Sequence, residues 1–418
     1  MLRGGFFLFG KPLLHGRDEA PVRRAEVIAL QPGRSYPVER AVLQCARLRE
    51  RFCLIERQMD REIRIVEHQL VPARADTGKV TVTIGEGEEA QEVVFEEEFQ
   101  YEFKKNLSTL CGGGFNAEDK DGTFKEAKFA RPLRLALDNE NQKLYVLEAD
   151  AYKCIREVDL INEKVSTPWR APGLHNLRTI SFGTTCDTLF VGVEGSSSNV
   201  STVFLLRSDG FVRHKTYAPR SGSNASILNP VDGELFINDY YKGMVLRWDR
   251  DKQEMVELVQ CFNNNTDFTY CWSHDGKYLY ALALGGASHS AIVRMEYDFA
   301  TKTLGEPNTW VGMDGQLGYQ DGVGEDARIN QPYQMCTGPQ GDFFLADTWN
   351  HCIRRIVDNA GTATVTTYAG IGGQLGFTEG DPLEAQLQFP TGVAVSDDGS
   401  TVYVADKENN RICKITVE

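Results

Sequence analysis

The chain has 418 residues, of which 41% are hydrophobic and 25% charged, and its formal net charge is −14. This composition is typical of a soluble folded protein, and the length allows two or three domains or one large repeat array. The acidic balance argues against a broad basic surface for nucleic acid. No apolar run reaches the ~20 residues of a membrane-spanning helix. We therefore expect no nucleic-acid partner and no transmembrane span.

Residues 1–70 do not share the pattern of the remaining chain. The first 75 residues hold thirteen Arg, one Lys and nine acidic residues, a net charge of +5 that leaves −19 for the rest. The stretch 41–68 has weak helical periodicity without matching caps. The apolar run 4–10 is too short for a convincing signal peptide. We leave 1–70 unassigned, either as a misread or truncated beginning or as a divergent helical segment, and the presence of an upstream signal stays open.

Residues 71–104 are predicted to form β structure. Two segments rich in strand formers, 78–84 and 93–103, are separated by a Gly- and Glu-rich connection. In the second segment Phe95, Phe99, Tyr101 and Phe103 are interspersed with glutamates, which suits a strand with one buried face. We predict that the two segments pair as a hairpin.

From residue 105 to 418 the chain repeats one pattern. A Gly is followed five residues later by Ala and after five more by Pro, and a strand ending in Ala-Asp comes next. The three copies are Gly122, Ala127 and Pro132; Gly322, Ala327 and Pro332; and Gly380, Ala385 and Pro390. Weaker copies of the strand between them bring the count to six units, near residues 145, 190, 236, 280, 344 and 403. Units of this length fit four-stranded propeller blades better than solenoid coils.

The order of strands predicts how the ring closes. The chain ends directly after the third strand of the last unit, while Leu107–Cys111 resembles a fourth strand with no blade before it. We predict that this segment completes the last blade, which would leave no open sheet edge at the seam.

The repeats resemble NHL repeats. The resemblance rests on Pro332, Phe344–Asp347, Asn350 and Ile353–Arg355, and on Pro390–Val395, Tyr403–Asp406, Asn409 and Ile412. The segment Val71–Val82 looks like the end of an IPT/TIG domain, which is an immunoglobulin-like sandwich. The resemblance implies an all-β fold, a six-bladed NHL-type β-propeller over 105–418 with the C-terminal part of a TIG domain at 71–104. That order is similar to a group of bacterial cell-envelope proteins that are often implicated in polysaccharide handling.

Aromatic residues are the main candidates for ligand binding. On a propeller, the loops that enter each first strand and those between second and third strands lie on one face. Three loops of the second kind carry Tyr152, Tyr241 and Trp349, and Tyr240 adds a fourth ring. Aromatic rings on such a face can stack on sugars or peptide side chains, although they can equally pack over neighbouring loops. Tyr333 and His351 complete the set of candidate binding residues.

Polar residues give no catalytic or metal motif. Asp150, Asp239, Asp347 and Asp406 each close a strand, and we interpret them as turn caps. The stretch 119–122 has the start of a calcium loop but lacks the later ligands. The ten cysteines show no metal-ligand spacing, so we expect mostly free structural thiols and no cofactor.

The sequence therefore favours a monomeric, non-enzymatic binding platform over an enzyme. By resemblance, its partner is a glycan or a cell-surface protein and its location the bacterial cell envelope. A metal-dependent propeller lyase or hydrolase is the first alternative, and a protein-interaction scaffold is the second. The sequence does not identify the ligand, and neither does it decide whether the central channel holds a metal.

Overall fold

The computed structural model describes residues 78–84, 91–99, 104–114, 118–149, 152–171, 174, 176–194, 202–217, 222–285 and 290–417. The chain divides after Lys104 into two compact units. In the first unit, strand β1 (Gly78–Ile84) pairs antiparallel with β2 (Gln91–Phe99), which confirms the predicted hairpin. The interpretation of residues 1–70 lies outside the described residues, and the TIG assignment of 71–104 stays a prediction.

The second unit consists of six four-stranded antiparallel sheets, each of which is one blade of a propeller. Blade one contains β5 (Pro132–Asp138), β6 (Lys143–Glu148), β7 (Cys154–Asp159) and β8 (Lys164–Arg170), with the short β4 (Gly122–Thr123) beside β8. Blade two contains β9 (Leu177–Phe182), β10 (Thr188–Val193), β11 (Thr202–Leu206) and β12 (Val212–Tyr217). Blade three contains β13 (Ser226–Leu228), β14 (Leu235–Asp239), β15 (Met244–Asp249) and β16 (Glu254–Gln260).

The remaining blades follow the same plan. Blade four contains β17 (Phe268–Trp272), β18 (Tyr278–Ala283), β19 (Ala291–Asp298) and β21 (Asn308–Gly312), with β20 (Thr303–Leu304) beside β19. Blade five contains β23 (Met335–Thr337), β24 (Phe343–Asp347), β25 (Cys352–Asn359) and β26 (Thr362–Ala369), with β22 (Gly322–Val323) beside β26. Blade six contains β27 (Pro390–Val395), β28 (Thr401–Asp406), β29 (Arg411–Val417) and β3 (Lys105–Gly112). Among the described residues, three single-turn 3₁₀ helices occur at Gly324–Asp326, Thr348–Asn350 and Lys407–Asn409. None of the described helices is long and apolar enough to cross a membrane.

The burial of the second strand of each blade explains why the repeats can be recognised in the sequence. In β24 and β14 every residue is buried, and in β6 every residue but the first. Such a strand has a neighbouring strand on each side and a neighbouring blade against each face, so it carries a nearly continuous apolar run rather than an alternating one. The six predicted second strands are therefore confirmed.

The hydrophobic core lies between adjacent blades. One cluster joins Tyr145 and Leu147 of β6 to Leu189 and Val191 of β10. Another joins blade six to blade one, across the seam of the ring. Each blade is thus stabilised by its two neighbours, and the first strands surround a central channel.

Strand β3 closes the ring, as the order of strands predicts. It pairs antiparallel with β29, from Lys105 opposite Val417 to Gly112 opposite Arg411. The Leu107 side chain is fully buried, and the backbone of Leu107 exchanges two hydrogen bonds with Gly380 at 2.7 and 2.9 Å. The start and the end of the propeller unit are therefore held in one sheet.

Antiparallel connectivity fixes two faces. The connections between second and third strands, and those that enter each first strand, all lie at the same end of the strands. We call this end the loop face. The turns between first and second strands and between third and fourth strands lie at the other end, which we call the turn face; Ile161, 71% exposed, lies there.

Candidate functional site

Three of the predicted aromatic residues are half exposed on the loop face. Tyr152, Tyr241 and Trp349 have exposed fractions of 41%, 48% and 49%. They occupy the loops between second and third strands of blades one, three and five. Because the six blades are arranged in a ring, these three loops belong to alternate blades. The rings therefore offer solvent-accessible apolar surface at three positions around the channel.

Trp349 and His351 are placed by the 3₁₀ turn Thr348–Asn350. The Trp349 ring meets the Phe389 ring edge to face at 5.3 Å, and its backbone N–H donates to the Asn330 carbonyl oxygen at 3.2 Å. His351 is buried, and its Nδ1 accepts a hydrogen bond from the Phe389 backbone N–H at 3.2 Å. Burial lowers the pKa of His351, so the ring is neutral at pH 7. His351 thus positions Phe389, whose ring contacts the Trp349 ring.

Tyr240 and Tyr241 form an aromatic pair with ring centroids 4.4 Å apart. Burial and a hydrogen bond with Tyr241 raise the pKa of Tyr240. Tyr241 leaves no room for a side chain at Gly222, since a Cβ there would lie 2.5 Å from the Tyr241 ring. The outer ring of the pair is therefore held in place from both sides.

Tyr333 lies in the central channel. It lines a cavity of about 160 Å³ at the loop-face end of the first strands. Its ring faces the Arg134 guanidinium at 5.2 Å, a cation–π contact. Other polar residues of the cavity include Arg178, Asn224 and Asp267, which come from blades two, three and four.

Arg134 is the most unusual residue of this cavity. It is only 4% exposed, and its Nε donates to the Arg178 carbonyl oxygen at 3.0 Å. No hydrogen bond or ion pair to the two Nη atoms occurs within the described part of the chain. Burial lowers the pKa of Arg134 to about 9, with Tyr333 opposing this and Arg178 adding to it. The side chain is therefore still a cation at neutral pH.

The second arginine of the cavity is neutralised. Arg178 donates from Nη2 to Glu194 Oε2 at 2.8 Å. Although burial lowers the pKa of Arg178, the hydrogen bond and charge of Glu194 raise it more, so the net shift is upward. Opposite, Asn224 Nδ2 donates to Asp267 Oδ1 at 2.8 Å. The cavity thus contains one unpaired guanidinium and one carboxylate held by an amide.

Gln334 ties the inner edge of the ring together. Its side chain accepts from the Leu135 N–H at 3.0 Å and donates to the Leu135 carbonyl oxygen at 2.7 Å. Gln334 precedes β23 of blade five, and Leu135 belongs to β5 of blade one. Blade six lies between these two blades, so the contact joins blades that are not neighbours in the ring. It satisfies backbone groups of a first strand that has no neighbouring strand on its channel side.

The predicted turn caps are centres of larger networks. The Asp347 carboxylate accepts from the Asn330 N–H, the Asn350 side chain and Arg354 Nη1 at 2.8, 2.8 and 2.9 Å. Arg354, fully buried, also donates to the carbonyl oxygen of Gln320 and to Asp321. Asp406 is bound in the same way by Gln388, Asn409 and Arg411. Asp239 accepts from the Lys242 N–H at 3.3 Å, and Asp150 lies outside the described residues. The first two aspartates therefore fasten the long loops that enter blades five and six, in addition to the turn that follows each of them.

One cluster has metal-ligand residue types, Asp119, Glu148 and Cys154. The buried Arg156 lies within 3.3 Å of Asp119 and 3.4 Å of Glu148. This guanidinium already supplies the cation that the two carboxylates require, and we assign no metal here. The eight cysteines of the described residues are free thiols, as predicted.

Sequence reasoning identified Tyr333 but missed Arg134, Arg178 and Asp267. Arg178 and Asp267 lie in blades whose repeats are degenerate, so no repeat motif marks their positions. Arg134 did leave a signal, because it is the one charged residue among the apolar residues Leu133 to Leu137 of a first strand. None of the described residues that line the cavity is a histidine, the residue type that the lyase alternative would use.

Comparisons with known proteins agree with this fold. The NHL repeat model matches residues 387–415. The protein SUPPRESSOR OF QUENCHING 1, chloroplastic, of Arabidopsis thaliana is 24% identical over 305 residues, which are 70% of this chain and 26% of that protein. The chain thus spans about a quarter of the length of this curated relative.

Two solved structures from Bacteroides thetaiotaomicron are similar over most of the chain. One is an auxiliary nutrient binding protein with 28% identity and a TM-score of 0.69, covering 83% of this chain and 85% of its own. The other is a putative phosphatase with 26% identity and a TM-score of 0.67, covering 83% and 86%. The chain therefore contains an NHL repeat and folds as a six-bladed β-propeller.

Proposed function

We propose that the protein is a non-enzymatic binding platform of the bacterial cell envelope that recognises a glycan or a cell-surface partner through its loop face. The observation that carries this proposal is the set of three half-exposed rings, Tyr152, Tyr241 and Trp349, on alternate blades. Rings that stay half exposed in a well-packed fold leave apolar surface for a ligand. The name of the similar nutrient-binding protein is consistent with such a role.

Trp349 is the expected anchor. Its ring is supported on one side by Phe389 and open on the other, so it is held in one orientation before a ligand arrives. Preorganised aromatic residues tend to contribute most of the binding energy at interfaces. We expect Trp349→Ala to cost about 2 kcal/mol of affinity.

The test begins with a glycan array, followed by titration calorimetry on the strongest hit. Wild type is compared with Trp349→Ala and with Ile161→Ala, a matched control that removes an exposed apolar side chain from the turn face. The proposal requires a loss of affinity in the first variant only, at an unchanged melting temperature. A large loss of stability with unchanged binding would show that Trp349 serves packing alone.

The alternative of a metal-dependent propeller lyase or hydrolase is kept, and its hydrolase form is consistent with the name of a similar structure, a putative phosphatase. Metal analysis of purified protein, together with an assay on a phosphate monoester, separates the two functions. Stoichiometric metal with turnover would favour the enzyme. A glycan array without any hit would favour the scaffold alternative.

A further inference from the structure

The central cavity contains a buried cation, Arg134, that forms no ion pair with any of the described residues. Arg134 is 4% exposed, yet its Nη atoms have no acceptor among the described residues. Burying a charged group without a partner is unfavourable, and natural proteins retain such groups mainly at functional sites. Arg134 lines the cavity itself, so its Nη atoms are accessible to a group that enters the cavity.

The surroundings of Arg134 hold its guanidinium in a fixed orientation. The Tyr333 ring covers one face at 5.2 Å, and the Nε–H is used by the Arg178 carbonyl oxygen. What remains free is the pair of Nη groups, a planar fork whose geometry matches an oxyanion in two parallel hydrogen bonds. Since Glu194 neutralises Arg178, Arg134 supplies the net positive charge of this arginine pair.

The opposite wall favours hydroxyl groups. Asp267 Oδ1 accepts a hydrogen bond from the Asn224 side chain, and Asp267 lines the cavity together with Thr269. A carboxylate in such a position accepts hydrogen bonds from ligand O–H groups. It also opposes a second negative charge, so a singly charged carboxylate suits this cavity better than a phosphate, which carries close to two charges at neutral pH.

The volume sets the size of the ligand. A buried cavity of about 150 Å³ is known to hold benzene, a ring of six carbons. The channel cavity, at about 160 Å³, therefore has room for one ring of that size, and the substituents of a larger ligand would extend out of the cavity toward the loop face.

We propose that the channel cavity is a binding site for a small hydroxylated carboxylate of the sugar-acid class, with its carboxylate on the Nη groups of Arg134 and its hydroxyls toward Asp267. This inference goes beyond the loop-face platform and does not depend on it. The two sites use different residues, so each can fail alone.

The test is calorimetry of the full chain with glucuronate and galacturonate, with glucose and glucose 6-phosphate as neutral and phosphorylated probes. We expect one of the uronates to bind at least tenfold more tightly than glucose and than glucose 6-phosphate. Arg134→Met should weaken that binding at least tenfold, and Arg134→Lys, which keeps the charge but loses the fork, by several-fold. Ile161→Ala, on the turn face, should leave it unchanged.

A second readout separates a ligand-binding role from a structural one. If Arg134 is held for a ligand, the ligand-free Arg134→Met variant should melt at the same temperature as wild type or higher, because an unpaired buried charge has been removed. Absence of uronate binding at millimolar concentration, equal binding by Arg134→Met, or tighter binding of the phosphate probe would each overturn the proposal. Should Arg134→Met fail to fold, that would also overturn it, because Arg134 would then be a structural residue.

Discussion

Substituting Leu107 by Ala tests whether strand β3 holds the ring closed. Leu107 is fully buried in a cluster that includes Val404, Cys413 and Ile415 of the last blade. The substitution removes three carbon groups, worth about 0.8 kcal/mol each in lost burial. A partly unfilled cavity adds about 1 kcal/mol or more. We therefore expect the free energy of unfolding to fall by about 3 to 4 kcal/mol.

Urea unfolding followed by tryptophan fluorescence measures this change. Trp169, Trp248, Trp272 and Trp310 are buried in blades one, three and four, so their emission reports on these three blades. The control is Ile161→Ala on the turn face, for which we expect a change within about 0.5 kcal/mol. An equally small change for Leu107→Ala would refute the reasoning, since it would show that the ring stays intact without tight packing of β3.

A pair of truncated variants extends the test to the entire strand. Removal of residues 1–104 should leave the melting temperature of the propeller unchanged, whereas removal of 1–112 should lower it strongly because β29 loses its partner strand. A synthetic peptide of residues 105–112 should restore part of the loss. Equal melting temperatures for the two variants would contradict closure by β3.

Three further predictions concern other parts of the fold. Arg354→Met should destabilise the protein by about 3–5 kcal/mol because it leaves Asp347 buried without its ion partner, and the double variant with Asp347→Leu should recover part of this in urea titrations. Gly243→Ala should cost clearly more than Gly210→Ala: both have positive φ, but a Cβ at 243 would lie 2.1 Å from a backbone oxygen whereas none lies near 210. Burial lowers the pKa of His351 in the folded protein, so the fold favours the neutral ring. The stability that this ring contributes is present above the ordinary pKa near 6.5 and is lost as the pH falls below that value. The urea midpoint of His351→Asn should therefore depend less on pH between 7.5 and 5 than the midpoint of wild type.

The architecture could be predicted because it is written in local patterns. The buried second strands, the turn residues between them and the Gly, Ala and Pro spacing recur within each blade, so one chain segment suffices to recognise each unit. The closing strand could also be predicted, since the last unit lacked a fourth strand and the segment Leu107–Cys111, which resembles one, preceded the first unit. Apart from the pairing of the closing strand with β29, these features depend on contacts that are close in sequence.

The central cavity could not be predicted in the same way. Arg134, Arg178 and Asp267 come from three different blades and meet only because the ring is closed. Their spacing in the sequence has no period, and the two blades that contribute Arg178 and Asp267 carry the most degenerate repeats. Likewise, Asp347 was interpreted from its position after a strand, but its pairing with Arg354 and the loop before blade five depends on packing across the blade.

Closure by β3 has a consequence for the order of events during synthesis. Thr109 in β3 and Arg411 in β29 are bonded in the folded ring although 302 residues separate them. At roughly 5–20 residues per second, a ribosome needs on the order of 15–60 s to make that interval. During this time β3 is an unpaired strand with Leu107 exposed, because its partner β29 has not yet been synthesised. A nascent chain of this design depends on its earlier blades folding one against another, and the ring becomes complete only when the last strand leaves the ribosome.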